Sequence, residues 1–567
     1  MSIDLDSPLS PLPAAPKTPY VRIIPFGGVG EFGMNCMVIE YDGDFVVVDC
    51  GVVFPENDIL GMDSLIPDVD WILENAERCL GVVLTHGHED HIGSMPYLLR
   101  ELDAPVYGTP LTIAMLERKL EEHGLLADVD LYPVRGGERT SFGKFEVEFV
   151  RVNHSIPDAA AIAIHTPMGT VVHTGDFRFD HTPVRDERTD IKRLAEIGES
   201  GVLLLLSDST NVERPGSSTS EASVRDALTR VIAEARRRVW ITMFSSNIHR
   251  LQGILESAHA CGRKVLVIGR SLRNNLMTAL DMGYIVLPSP DILVEMHAFG
   301  DIQPSKIVVV CTGSQGEPRS ALSAIARRGH RFVHVDEGDV VVFSARVIPG
   351  NDRSVGNLQD QMYRMGAEVI TSREAPVHTT GHAHQEEQKL MISLLRPRFF
   401  VPIHGDYRML VKHARIAADL GVPHTQVIDT GDVLQVTPDA ARVVGRVRTG
   451  KVFVDGRTLA SVNDEVLKER RRIARSGVLV AMVGVDMEDG SIVTRPEFIQ
   501  VGAVESALEE EVLEECVEFV LARLDKLPRR DRLNVERLSD QLQQATRQYF
   551  RRRFDRKPWV IPIISEY

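Results

Sequence analysis

Apolar and polar positions divide this chain into stretches of different rhythm. Over residues 20–206, short β-branched or aromatic runs recur at 21–25, 35–40, 45–48, 81–85, 145–152 and 170–174. Gly-Gly or Asp-Gly pairs separate several of them, so this stretch reads as strands with few helices. From 207 to 371 the rhythm changes. Strand-like runs at 239–244, 264–268, 306–311, 340–343 and 367–370 alternate with helical periodicity at 222–238, 248–260, 272–282, 320–328 and 357–365, all led into by the run 202–206. That alternation predicts a parallel sheet covered on both faces, hence a second domain. At 372–443 the first style returns, with a helix over 386–395 and the strand-like Phe399-Phe400-Val401-Pro402-Ile403. The parallel domain therefore reads as an insertion into the first one. Past a linker at 444–460, residues 461–567 predict a separate C-terminal α/β domain. Its helices lie at 466–474, 503–524 and 533–550, and its strands at 478–485, 491–498 and 559–564. Residues 1–19, rich in proline, are expected to be a disordered tail.

Composition changes this picture little. A length of 567 residues exceeds what one core organises. No apolar run approaches a membrane span, and no basic segment followed by an apolar one opens the chain, so no signal peptide and no membrane contact are expected. Six cysteines (Cys36, Cys50, Cys79, Cys261, Cys311, Cys516) are scattered without a C-x-x-C pair, which fits buried thiols of a reducing cytoplasm. The net charge of −16 argues against a nonspecific nucleic-acid coat but leaves room for a local basic groove. Arginine clusters at 236–238, 470–472 and 551–553 are candidates for such a groove or are simply solvated faces.

The chemistry concentrates where strands end. Val82-Val83-Leu84-Thr85 stops abruptly and is followed by His86-Gly87-His88-Glu89-Asp90-His91. Imidazoles and carboxylates together suit zinc or manganese rather than calcium. His154 follows the strand at 145–152, Asp176 follows 170–174, and His404 ends 399–403, so each can reach the same sheet edge. Together they supply the missing histidines and a carboxylate for a dinuclear site, which activates water without a protein nucleophile. Glycines between Gly28 and Gly33 invite a dinucleotide reading, but no βαβ unit follows them.

The H-x-H-x-D-H pattern resembles the metallo-β-lactamase superfamily. Asp208 after Leu206-Ser207, His382 after Thr380-Gly381, and His404 complete the three motifs of its β-CASP nucleases. The match narrows to the ribonuclease J family through Ile24-Pro25-Phe26-Gly27-Gly28-Val29-Gly30-Glu31-Phe32-Gly33-Met34-Asn35, residues 85–93, 208–211, 244–250, 378–387 and 402–408, and the ending Arg556-Lys557-Pro558-Trp559-Val560-Ile561-Pro562-Ile563-Ile564. The middle of the C-terminal domain, 454–460, resembles the family only loosely.

The resemblance implies an α/β protein with a metallo-β-lactamase αββα sandwich, an inserted parallel β-CASP domain and a small C-terminal α/β domain. It implies two divalent ions, zinc ahead of manganese, held by His86, His88 and His154 on one side and by Asp90, His91 and His404 on the other. Asp176 would bridge them, and Asp49 would orient ligands from behind. Asp90, Asp208 and His382 are the expected catalytic residues. Ser245, Ser246, Asn247, His378, Thr379, Thr380, Gly381 and His382 are expected to hold RNA phosphates. The implied activity is a 5′→3′ exonuclease and endonuclease of single-stranded RNA, preferring 5′-monophosphate ends, in cytoplasmic RNA decay and rRNA maturation. The protein would be a homodimer or homotetramer with possible decay-complex members as partners. Other possibilities are a β-CASP nuclease for DNA or RNA 3′ ends, and a catalytically silent RNA-binding scaffold.

Overall fold

The computed structural model describes residues 19–54, 62, 64–184, 187–348, 350–455, 458–461, 465–505 and 508–567. The proline-rich stretch 1–19 lies, apart from Pro19, outside them. The chain forms two compact units, one of 1–53 with 65–451 and one of 54–64 with 452–567.

In the larger unit, two sheets pack face to face. The first has eight strands, running in space from Ala441–Arg446 through Asp432–Val436, Val21–Gly27, Cys36–Tyr41, Asp44–Val48, Cys79–Leu84 and Val106–Gly108 to Leu131–Pro133. The second has seven: His424–Thr425, Phe399–Ile403, Val202–Asp208, Gly169–His173, Ala160–Thr166, Phe145–Arg151 and Arg139–Phe142. Ile23, Val46 and Val83 of the first interdigitate with Phe149, Ile162, Leu204 and Val401 of the second in one buried layer. Helices cover the outer faces: Pro110–His123 supplies Leu116 and Leu120 to one, and Gln385–Leu395 supplies Met391 and Leu395 to the other. This is the expected αββα sandwich.

The insertion is visible in register. Val202–Asp208 pairs directly and in parallel with Phe399–Ile403, Leu206 opposite Val401, so everything between them leaves and returns to neighbouring strands. The intervening chain builds a six-stranded, wholly parallel sheet in the order Leu293–Val294, Lys264–Ile268, Ile307–Cys311, Val239–Thr242, Val340–Phe343, Glu368–Ile370. Runs such as Ile-Val-Val-Val-Cys at 307–311 are buried throughout, as a sheet covered on both faces requires.

The smaller unit holds a three-stranded sheet with Val478–Val485 in the centre, antiparallel to Ile492–Val501 and parallel to Trp559–Glu566. Helices Glu509–Leu524 and Val535–Phe554 bury Val512, Cys516, Leu538 and Leu542 against it.

Three expectations need correction. The first stretch holds a fourteen-residue helix, Pro110–His123, where mainly strands were expected. A second unforeseen helix, Tyr407–Asp419, follows His404. The span 444–460 is not a bare linker, since it carries the end of strand Ala441–Arg446 together with Lys451–Asp455 and the start of Thr458–Ser461. All six cysteines are free thiols. Among the described residues no helix is long and apolar enough to cross a membrane.

Candidate metal centre

Six strands of the sandwich end at one edge, and each delivers a polar side chain there. Asp49 follows Asp44–Val48, His86 follows Cys79–Leu84, and His154 follows Phe145–Arg151. Asp176 follows Gly169–His173, Asp208 ends its own strand, and His404 follows Phe399–Ile403. Asp49 and His404 both sit in the left-handed region, φ 60° and 53°, a conformation that costs a non-glycine residue about 1–3 kcal/mol. That turn re-aims each side chain from the strand direction into the centre.

The donor atoms fall into two groups that share a carboxylate: His86, His88, His154 and Asp176, and Asp90, His91, Asp176 and His404. In the first, His88 Nδ1 lies 3.0 Å from His86 Nε2 and 3.2 Å from His154 Nε2. Asp176 Oδ2 is 3.7 Å from each of those Nε2 atoms and 3.3 Å from His91 Nε2, while its Oδ1 is 3.6 Å from His404 Nε2. Asp90 Oδ2 lies 3.7 Å from His91 Nε2 and 3.6 Å from His404 Nε2. Ligands bound at about 2.0–2.2 Å around one tetrahedral ion would stand about 3.3–3.6 Å apart, close to these spacings.

Hydrogen bonds behind the centre fix which nitrogen faces it. Thr85 Oγ1 donates to Asp49 Oδ2 at 2.8 Å, so it accepts from His86 Nδ1 at 3.0 Å. His91 Nδ1 donates to Asp49 Oδ2 at 2.8 Å, and His154 Nδ1 donates to the Gly381 carbonyl at 2.7 Å. Thr210 Oγ1 donates to Asp208 Oδ1 at 2.7 Å and accepts from His404 Nδ1 at 2.7 Å. Four imidazoles thus present an Nε2 lone pair inward, with the outer nitrogen engaged. Asp176 Oδ1 and His404 Nε2 are buried with no hydrogen-bond partner. Such atoms are costly unless a cation meets them.

Charge balance agrees. Burial pushes His86 and His154 well below the usual imidazole range and His88 down to about 4. Around His91 and His404 burial pulls the same way, but Asp176 and its fellow carboxylates override it and drive both rings well up. Neutral imidazoles on one side and a demand for positive charge on the other fit two divalent ions.

His382 stands beside this set. Its Nδ1 is 2.9 Å from Asp208 Oδ2 and 3.9 Å from Asp176 Oδ2, and its ring stacks on His404 with centroids 5.3 Å apart. It also belongs to a third donor group with Asp176, Asp208 and His404. The Asp208 carboxyl is held below its ordinary range: burial would raise it, and His382 and His404 overcome that.

Among the residues expected to face phosphate, Thr380 Oγ1 accepts from Asn211 Nδ2 at 3.0 Å and the His382 amide at 3.2 Å, which leaves its proton to donate. Asn247 Oδ1 caps helix Ile248–Ala260. Ser245 and Ser246 lie half-buried on the loop between strand Val239–Thr242 and that cap, at the carboxyl edge of the parallel sheet. His378 is half-buried, and burial takes its imidazole down to about 3. Thr379 differs from expectation. Its hydroxyl donates to the Thr219 carbonyl at 2.7 Å, so it braces the loop instead of facing a ligand.

Thr85, Thr210 and Asn211 were not anticipated. Their signal was adjacency alone, a hydroxyl or amide within three residues of His86 or Asp208. Arginine clusters meet acids of their own unit: Arg237 and Arg238 pair with Asp336 at 3.1 and 2.6 Å, and Arg553 lies 3.6 Å from Glu515.

Family profiles match successive stretches of the chain. The metallo-beta-lactamase superfamily matches 29–230, the ribonuclease J beta-CASP domain 236–362, a Zn-dependent metallo-hydrolase RNA specificity domain 367–425, and the ribonuclease J C-terminal domain 465–567. Ribonuclease J 1 of Streptococcus pyogenes is 38% identical over 97% of this chain and 98% of that protein. Ribonuclease J2 of Bacillus subtilis is 37% identical over 97% and 99%. Ribonuclease J of Synechocystis is 42% identical over 88% of this chain and 78% of the relative. A solved protein of unknown function from Enterococcus faecalis shares the fold, with a TM-score of 0.53 at 16% identity over 74% of this chain and 100% of that one. The chain belongs to the ribonuclease J family.

Proposed function

We propose that this metal-dependent nuclease hydrolyses single-stranded RNA at a dinuclear centre, 5′→3′ from monophosphorylated ends and also internally, in RNA decay and rRNA maturation in the cytoplasm. The observation that carries this reading is the sharing of Asp176 between two donor groups at the seam with the inserted parallel domain. His86, His88 and His154 would hold one ion, Asp90, His91 and His404 the other, and the nitrogen-rich donor set favours zinc, with manganese second. When bound, two such ions activate a water and neutralise the phosphodiester oxygens.

The chain's own groups do the rest. Water attacks phosphorus, the bond to the leaving 3′ oxygen breaks, and that oxygen needs a proton. His382 Nε2 is the donor suited to supply it, because Asp208 engages Nδ1 and so orients the ring with Nε2 on its other side. Asp208 also anchors Thr210 and, through it, the His404 ring. Thr380, the Gly381 backbone, His382, Ser245, Ser246 and the Asn247 amide group supply donors for a terminal monophosphate. A pocket closed around one phosphate receives a hydroxyl end with fewer contacts and excludes a triphosphate by bulk and charge. Charge-assisted hydrogen bonds of about 1.5–3 kcal/mol each would favour the monophosphate over the hydroxyl by roughly ten-fold or more. We further propose a homodimer or homotetramer that works with members of a larger decay assembly.

The test is digestion of one long RNA, labelled at either end, with metal-stripped and metal-restored protein, using 5′-monophosphate, hydroxyl and triphosphate versions. Mononucleotide release that requires metal and is fastest on the monophosphate is expected. No metal dependence would overturn the dinuclear reading. Equal rates on all three ends would remove the terminal pocket and leave an endonuclease.

A further inference from the structure

The carboxyl edge of strand Val340–Phe343 in the inserted sheet continues into a turn that carries Arg346 to the seam. The turn is built to hold it. Gln315 Nε2 donates to the Arg346 carbonyl at 2.8 Å, and Gln315 Oε1 accepts the Ile348 amide at 2.8 Å. From there Arg346 Nη1 donates to Asn211 Oδ1 at 2.9 Å. The same buried Asn211 uses Nδ2 on Thr380 Oγ1 at 3.0 Å and on the His382 carbonyl at 3.1 Å. One carboxamide therefore joins a guanidinium to the loop that carries His382.

Arg346 is half-buried, and no carboxylate among the described residues pairs with it. Burial, and after it the field of Arg214, another cation, lower its affinity for its proton. His378, whose Nδ1 has no hydrogen-bond partner, feels the field of Arg346 as well. A half-buried guanidinium with no carboxylate partner among the described residues, in the field of a second arginine, favours an anion. Its fork geometry matches the two free oxygens of a phosphodiester.

We propose that Arg346 is a phosphate clamp that takes the non-bridging oxygens of an RNA backbone phosphate at or next to the scissile one, using Asn211 to tie the occupied clamp to Thr380 and His382. This rests on the reading of the protein as an RNA nuclease. Arg346 is a specificity and positioning residue, separate from the metal donors.

The experiment measures binding of a short phosphorothioate-linked, 5′-monophosphorylated RNA to the metal-loaded full-length protein at several salt concentrations, alongside cleavage of the ordinary RNA. Arg346→Gln should keep its metal content, weaken binding about 10–100-fold, and flatten the slope of log affinity against log salt by about 0.7, the value for one lost phosphate contact on a single strand. Arg346→Lys should keep the slope and lose affinity by less, since it retains charge without the fork. An unchanged slope in Arg346→Gln overturns the clamp. So does a loss of affinity in Arg346→Lys equal to that in Arg346→Gln, because a strut for Asn211 would behave so. Wild-type protein that binds RNA but does not cleave it would overturn the nuclease reading and leave the clamp standing on its salt slope. Failure of wild-type protein to bind RNA would overturn both.

Discussion

Gly381 shows how closely the centre is fitted at the scale of one residue. A Cβ placed there would stand 2.6 Å from His154 Cε1 and 2.8 Å from Nδ1, and the Gly381 carbonyl is what holds that ring. Gly381→Ala should displace the imidazole and lower metal affinity about 10–100-fold, the usual cost of losing a ligand's outer partner. Elemental analysis after dialysis against a weak chelator would check it, and full retention of metal would refute it. Asp176→Ala should lose both metal and nearly all hydrolysis, because its carboxylate serves both donor groups. His382→Ala is expected to separate the two effects, with metal retained and activity lower by about 10²–10⁴, the range for a proton-transfer group. Metal loss in that variant would make His382 a ligand, as its place in the third donor group allows. At this scale the sequence showed which residue types gather at strand ends. It could not show that Thr379 turns away to Thr219, because that depends on a partner 160 residues distant.

Between elements, one tie is a buried ion pair. Glu221 opens helix Glu221–Glu234 and Arg250 lies in helix Ile248–Ala260, with both carboxylate oxygens bonded at 2.7 and 2.8 Å. The same guanidinium donates to the Ser344 carbonyl at 2.9 Å and the Val377 carbonyl at 3.3 Å, so it also braces the chain leading into the 378–382 loop. Burial alone would raise the Glu221 carboxyl, but Arg250 overrides this and holds it at about 2. The folded value is depressed below the ordinary 4.5, so this stabilisation is present above about pH 4.5 and is lost as pH falls through 2. Arg250→Met leaves a buried carboxylate uncompensated and should destabilise by about 3–5 kcal/mol at neutral pH. Thermal melts from pH 7 down to pH 3 should show the gap to wild type narrowing, since protonation relieves the variant alone. A constant gap would contradict the pairing. Helix Pro110–His123 belongs to this scale too. Its boundaries were legible as Pro110 in the first turn and Gly124 closing it at φ 71°, yet the surrounding β-rich runs outweighed them.

At the scale of the whole molecule, every candidate donor found among the described residues lies in the unit formed by 1–53 and 65–451. A chain ended after Lys451 should therefore keep its full metal content, and incomplete metal binding would count against the independence of the site. A drop in apparent mass larger than the deleted residues explain would place self-association in the C-terminal unit, and a drop that the deleted residues account for would exclude it. Net charge of −16 repels RNA at long range, so affinity must come from a few local cations. Most arginines of the clusters at 236–238 and 551–553 are spent on Asp336, Glu515 and the Phe519 ring, which removes them as a general RNA track.

What the sequence determined by itself was local or periodic. Alternating and continuous apolar runs gave the sandwich strands and the buried parallel strands, and chain order showed that 399–403 resumes the style interrupted after 206. The donor types His86, His88, Asp90 and His91 were legible because they share one turn, so no long-range folding is needed to bring them together. Tertiary structure alone decided which imidazole nitrogen faces the centre. The partners that fix those tautomers come from other strands, with Gly381 227 positions from His154 and Thr210 194 positions from His404. It also decided which cations remain unpaired. Arg238 and Arg346 read alike in sequence, but one meets Asp336 at 2.6 Å and the other, among the described residues, meets an amide oxygen at the seam and no carboxylate. Pairing of charges depends on the approach of chain segments that no periodicity encodes, which is why ligand identity was readable early and the electrostatic role of each arginine was not.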